Sequence, residues 1–143
     1  PLTANWRRGA LFGALLAAIA YSTSAQSGSG SSSEPSRNVA RITADQFAAQ
    51  VEESASPVVV DFYATWCGPY KVLAPTFDKL AGEFSGKIKF VQVDVDSAQK
   101  LAERFQIEGI PTLLFFKHGK LEDRITGLLP ERALKARLDS FAN

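Results

Sequence analysis

Val58-Val59-Val60-Asp61-Phe62-Tyr63-Ala64-Thr65-Trp66-Cys67-Gly68-Pro69-Tyr70-Lys71 is the stretch on which the reading of this chain turns. Val58 to Ala64 is an apolar run, broken mainly by Asp61, and reads as a central strand buried on both faces. Beyond Cys67 the spacing is helical, with Leu73, Phe77, Leu80 and Phe84 at i, i+4, i+7 and i+11. Cys67 then stands at the first turn of a helix that runs to about Phe84. Unpaired backbone N–H groups and the helix dipole favour a thiolate at such a place. Pro69 suits a first turn, whose N–H groups have no helical partner in any case. Pro75 falls inside the helix and is expected to kink it.

The flanking sequence supplies the other elements. Val39 to Ile42 can form a short first strand. Thr43-x-x-Gln46 has the capping-box pattern and opens a helix on which Phe47 and Val51 face one way. Ile88 to Val95 reads as the next strand. Asp96 is placed to cap a helix in which Ala98, Leu101, Ala102 and Phe105 share a face. Leu113 to Lys117 and Leu121 to Thr126 pair as a hairpin across Lys117-His118-Gly119-Lys120. A last helix begins near Pro130, with Leu134, Leu138 and Phe141 inward. The order β-α-β-α-β-α-β-β-α predicts an α/β domain, a mixed central sheet with helices on both faces.

Val59-Asp61-Phe62 through Trp66-Cys67-Gly68-Pro69 to Ala74-Pro75 resembles the active-site region of the thioredoxin family. Gly109-Ile110-Pro111-Thr112, before Leu113 to Phe116, is similar to that family's cis-proline segment. Gly119 and Gly127 also match. The resemblance covers residues 39 to 143 and implies the thioredoxin fold, with a cis bond before Pro111.

It also implies roles for single residues. Cys67 is the attacking thiol, partly exposed by its position. Asp61 is the buried carboxyl that helps move the proton of a second cysteine. That cysteine is absent here, because Tyr70 stands in its place. Asp61 is therefore either a relic or a group with another partner, such as the Tyr70 hydroxyl or a water. Gln92 stands where many members carry a lysine near the aspartate, so no positive charge helps Asp61 ionise. Trp66, Gly68, Pro69, Ile110 and Pro111 form the surrounding surface. There the family's backbone pairs with an extended substrate segment. Thiol–disulfide exchange of the dithiol kind needs a second thiol to release the substrate, and Tyr70 cannot act as one.

Composition narrows the field further. The chain has 143 residues, enough for one domain and an appendage. Arg7, Arg8 and Arg37 are the only Lys or Arg before residue 39, and Glu34 the only acid, so the domain is near neutral. Nothing in it suggests a nucleic-acid surface. One cysteine allows no internal disulfide, and one cysteine with one histidine makes no metal site. No cofactor is expected.

Residues 1–8 form a tail ending in Arg7-Arg8, residues 9–25 an uncharged apolar run, and residues 26–38 a Gly/Ser-rich linker. The run reads either as a secretory signal ending at Thr23-Ser24-Ala25 or as a retained, rather short transmembrane anchor. The chain carries it behind a proline start, so the expectation is an N-terminal single transmembrane segment. With dithiol chemistry lost, the expected function is that of a redox-inactive accessory subunit. Its partners would be a membrane and the other subunits of a membrane complex, respiratory or otherwise energy-transducing. The mitochondrial inner membrane is the expected location, with a bacterial periplasm or a thylakoid as alternatives. Two other readings stand beside it: a monothiol oxidoreductase using Cys67 with glutathione, and a peptide-binding, chaperone-like module at Pro111.

Overall fold

In the computed structural model the described residues are 37–143. The apolar run expected to be an anchor, residues 9–25, lies outside them. No helix among the described residues is long and apolar enough to cross a membrane.

The elements are β1 (Ala40–Arg41), β2 (Val58–Tyr63), α1 (Gly68–Glu83), β3 (Lys89–Asp94), α2 (Gln99–Arg104), β4 (Thr112–Lys117), β5 (Lys120–Thr126) and α3 (Glu131–Ala142). They build one five-stranded sheet in the order β1-β3-β2-β4-β5. β1, β3 and β2 run parallel, while β4 is antiparallel to both β2 and β5. The central place of β2 explains its composition. Every one of its six residues is buried, as a strand covered on both faces must be.

Strand alternation divides the core into two layers. Val59, Phe90, Leu113 and Phe115 pack with Leu73, Phe77 and Leu80 of α1 and with Leu134, Leu138 and Phe141 of α3. On the opposite face, Val58, Val60, Phe62, Val91, Val93, Leu114 and Phe116 pack with Phe47, Val51 and Leu101. By the same alternation Asp61 and Tyr63 belong with Val59, on the α1 face. Gln92 belongs there too, with Phe90. The polar pair of the central strands therefore lies beneath the helix that carries Cys67.

The helix expected after Thr43 and the one expected after Asp96 differ from the sequence reading. Gln46 Oε1 accepts the Thr43 N–H at 3.0 Å, as the capping pattern requires. The turn it starts is a single 3-10 turn, Ala44–Gln46, and Ala48–Glu52 then winds with the wider π spacing. The Glu53 N–H reaches back five residues to the Ala48 carbonyl at 2.9 Å. Phe47 and Val51 are buried as expected. Asp96 does not cap α2, which starts at Gln99 after Ala98. Its backbone N–H is held by Asp94 Oδ1 at 2.9 Å, and its carboxylate is engaged elsewhere. In the hairpin, β4 and β5 are joined by His118 and Gly119, both at positive φ. That is the two-residue turn that matches the twist of the strands.

Candidate active site

Cys67 is the residue just before α1, in an extended conformation, with Pro69 in the first turn of the helix. The β2 carboxyl end delivers it there, and the Cys67 N–H is tied to the Ala64 carbonyl at 3.1 Å. The side chain is not partly exposed, as its position had suggested. It is 7% exposed, and its Sγ–H points at the Ile110 carbonyl at 3.6 Å. That carbonyl belongs to the cis Ile110–Pro111 bond. Two segments 43 residues apart in sequence thus meet at the sulfur. The Thr112 hydroxyl donates to the Gly109 carbonyl and ties the loop before Pro111 to the start of β4.

The rim of the site is open where the sulfur is not. Trp66 is 68% exposed, and Gly68 and Pro69 are exposed beside it. Trp66 Nε1 donates to Asp96 Oδ2 at 2.8 Å. This bond spans 30 residues and holds the indole against the β3–α2 connection. Trp66, Gly68 and Pro69 flank Cys67 in the chain, and the sulfur's contact with the Ile110 carbonyl brings the Pro111 loop to it. Asp96 belongs to the site's support, and sequence reasoning had assigned it to a helix cap.

Asp61 is completely buried. Gln92 Nε2 donates to its Oδ2 at 3.0 Å, from the residue opposite it in the β2–β3 register. Oδ1 has no hydrogen-bond partner among the described residues. Burial pushes the carboxyl up from the ordinary range to about 7, and the Gln92 bond opposes that rise. Of the alternatives for Asp61, the Tyr70 hydroxyl is not its partner. Tyr70 is half-buried and stacks on Tyr63, with ring centroids 4.6 Å apart and planes 25° from parallel. Arg41 lies over the Tyr63 ring at 5.8 Å. Burial raises the Tyr63 phenol above its usual range, against the pull of the Arg41 guanidinium. Sequence reading missed Tyr63. Its signal was there, since it lies two residues beyond Asp61 on β2 and must share its face.

A buried thiol at a helix start, a backbone carbonyl beside it and a near-neutral carboxyl beneath are a set for sulfur chemistry with proton transfer. The family model described as thioredoxin matches residues 38–140. The chain is 44% identical over 91 residues to a chloroplastic M-type thioredoxin of Spinacia oleracea, covering 64% of this chain and 50% of that one. It is 40% identical over 100 residues to thioredoxin 1 of Nostoc, covering 70% and 94%. To thioredoxin C-2 of Corynebacterium nephridii it is 39% identical over 104 residues, covering 73% and 96%. The chain thus spans about half the length of the spinach relative and nearly all of the two bacterial ones.

Two expectations are corrected here. The relatives bear the names of thioredoxins, some of them chloroplastic, and the described residues contain no helix fit to cross a membrane. A redox-inactive accessory subunit of a membrane complex is therefore not the reading that stands, and neither is a mitochondrial inner-membrane location.

Proposed function

Because the chain belongs to the thioredoxin family, we propose that it carries out thiol–disulfide exchange with Cys67 as its sole nucleophile. The observation that carries this is the meeting of Cys67 with the Ile110 carbonyl beside cis-Pro111. That contact sets the sulfur where an extended segment pairing with the Pro111 loop would bring its own disulfide. In the first step the Cys67 thiolate attacks one sulfur of R–S–S–R′. A Cys67–S–S–R bond forms and R′–S⁻ leaves, taking a proton. Asp61, whose carboxyl burial pushes up to about 7, is the group assigned to proton transfer beneath the site. Trp66, Gly68, Pro69, Ile110 and Pro111 are assigned to substrate docking.

The chain has no second thiol, so the mixed disulfide must be resolved by a thiol from outside. The test is exchange between hydroxyethyl disulfide and a small thiol, monitored with the purified full chain and with Cys67→Ser. Catalysis that depends on the added thiol and vanishes in Cys67→Ser is expected. Equal rates for the two proteins, or native protein that forms no adduct at Cys67, would overturn the proposal.

A further inference from the structure

A mixed disulfide has two sulfurs, and which one is attacked decides what the reaction does. Attack on the inner sulfur, that of Cys67, expels R–S⁻ and leaves the substrate reduced. Attack on the outer sulfur expels the Cys67 thiolate and leaves the incoming thiol joined to the substrate. Displacement at sulfur is in line, with the nucleophile entering opposite the leaving group. An attack on the inner sulfur must therefore come from the side away from R.

The surroundings of Cys67 are unequal on its two sides. Trp66 and Pro69 leave the rim exposed, so R departs toward solvent along it. Position 70 lies three residues beyond Cys67, in the first turn of α1. Tyr70 fills that position, and its ring is fixed by the stack on buried Tyr63. Cys67 itself is almost wholly covered.

We propose that the Tyr63–Tyr70 stack closes the inner sulfur to attack and so makes Tyr70 a specificity-determining residue. It directs every incoming thiol to the outer sulfur of the Cys67 mixed disulfide. The inference rests on the exchange function above. The two steps balance without net oxidation or reduction. Cys67–S⁻ and R–S–S–R′ give Cys67–S–S–R and R′–S⁻, and a small thiolate R″–S⁻ then gives R–S–S–R″ and free Cys67–S⁻. The protein moves a disulfide from one thiol to another. A substrate with its own second thiol supplies R″ itself and leaves with a rearranged disulfide.

The experiment loads the full chain at Cys67 with cysteamine from cystamine, then adds 2-mercaptoethanol and quenches with acid at early times. Intact mass separates the two routes. Outer attack yields unmodified protein, and inner attack yields protein carrying mercaptoethanol. Unmodified protein should exceed the swapped adduct by at least roughly tenfold in the parent and in Tyr70→Phe, which keeps the ring. In Tyr70→Ala the swapped adduct should approach parity. A swapped adduct dominant in the parent, or the same partition in Tyr70→Ala, overturns the inference and leaves the exchange function standing. Failure of native protein to load at Cys67 overturns both.

Discussion

Among the described residues Asp61 takes its only hydrogen bond from Gln92, and a completely buried carboxylate so lightly supported is costly to ionise. Its folded-state value near 7 lies above the ordinary 3.8. Folding therefore binds a proton between those values, which sets the sign. The contribution of Asp61 is fully present below about pH 4 and is lost as pH rises through about 7. By linkage the loss is on the order of 4 kcal/mol across that window. Asp61→Asn keeps the shape and the acceptor for Gln92 without the charge. Urea denaturation should show the variant gaining on the parent as pH rises from 5 to 8, with the gain levelling above. A constant difference across that range would mean that Asp61 does not take up a proton on folding.

At the scale of elements, the hairpin between β4 and β5 shows how a turn is bound to the rest of the fold. Gly119 sits at φ +74, and a Cβ there would come within 2.5 Å of the Glu52 carbonyl oxygen at the end of the π-helical turn. Gly86 has a similar φ, +81, but open space around it. Gly86→Ala should cost about 1 kcal/mol, the left-handed conformation alone. Gly119→Ala should cost more than about 2 kcal/mol, because the Glu52 backbone must also move. Equal denaturation midpoints for the two variants would show that the turn and Glu52 are not in contact.

The same elements show what the sequence made legible. α1 and α3 declare themselves because their apolar residues repeat at the helical period, and β2 and β4 because they are continuous apolar runs. Burial follows those readings in β2, α1, β4 and α3. Cys67 and Asp61 could be placed from the strand and helix around them, whereas Pro111 and Gln92 were placed only through the resemblance to the family's motifs. What stayed hidden depends on contacts between segments far apart. Asp96 obeys local rules for a cap, but the Trp66 indole takes its carboxylate from 30 residues away. Cys67 has the sequence position of a surface thiol, yet Ile110 covers it. Tyr70 offers a hydroxyl to any nearby acceptor, but its ring has a better use on Tyr63.

For the whole molecule the question is whether the fold still serves the dithiol chemistry that Tyr70 removed. Strand order brings Asp61 and Gln92 side by side under α1, and the Pro111 loop meets the sulfur. Position 70 and the neutral Gln92 are the two departures from the family pattern that the sequence reading named. Tyr70→Cys supplies a thiol on the inner side of Cys67, where it can displace a bound substrate. Insulin reduction with a regenerating reductant should then rise at least roughly tenfold over the parent, which turns over only with an added small thiol. Gln92→Lys in the same chain sets a positive charge beside Asp61, favours its ionised form and moves its titration to lower pH. The double variant should therefore reduce insulin faster than Tyr70→Cys alone near pH 6, with the difference shrinking above pH 8, where Asp61 is ionised in both. If Tyr70→Cys folds normally by circular dichroism but reduces no insulin, then the scaffold itself, and not one side chain, has left dithiol chemistry behind.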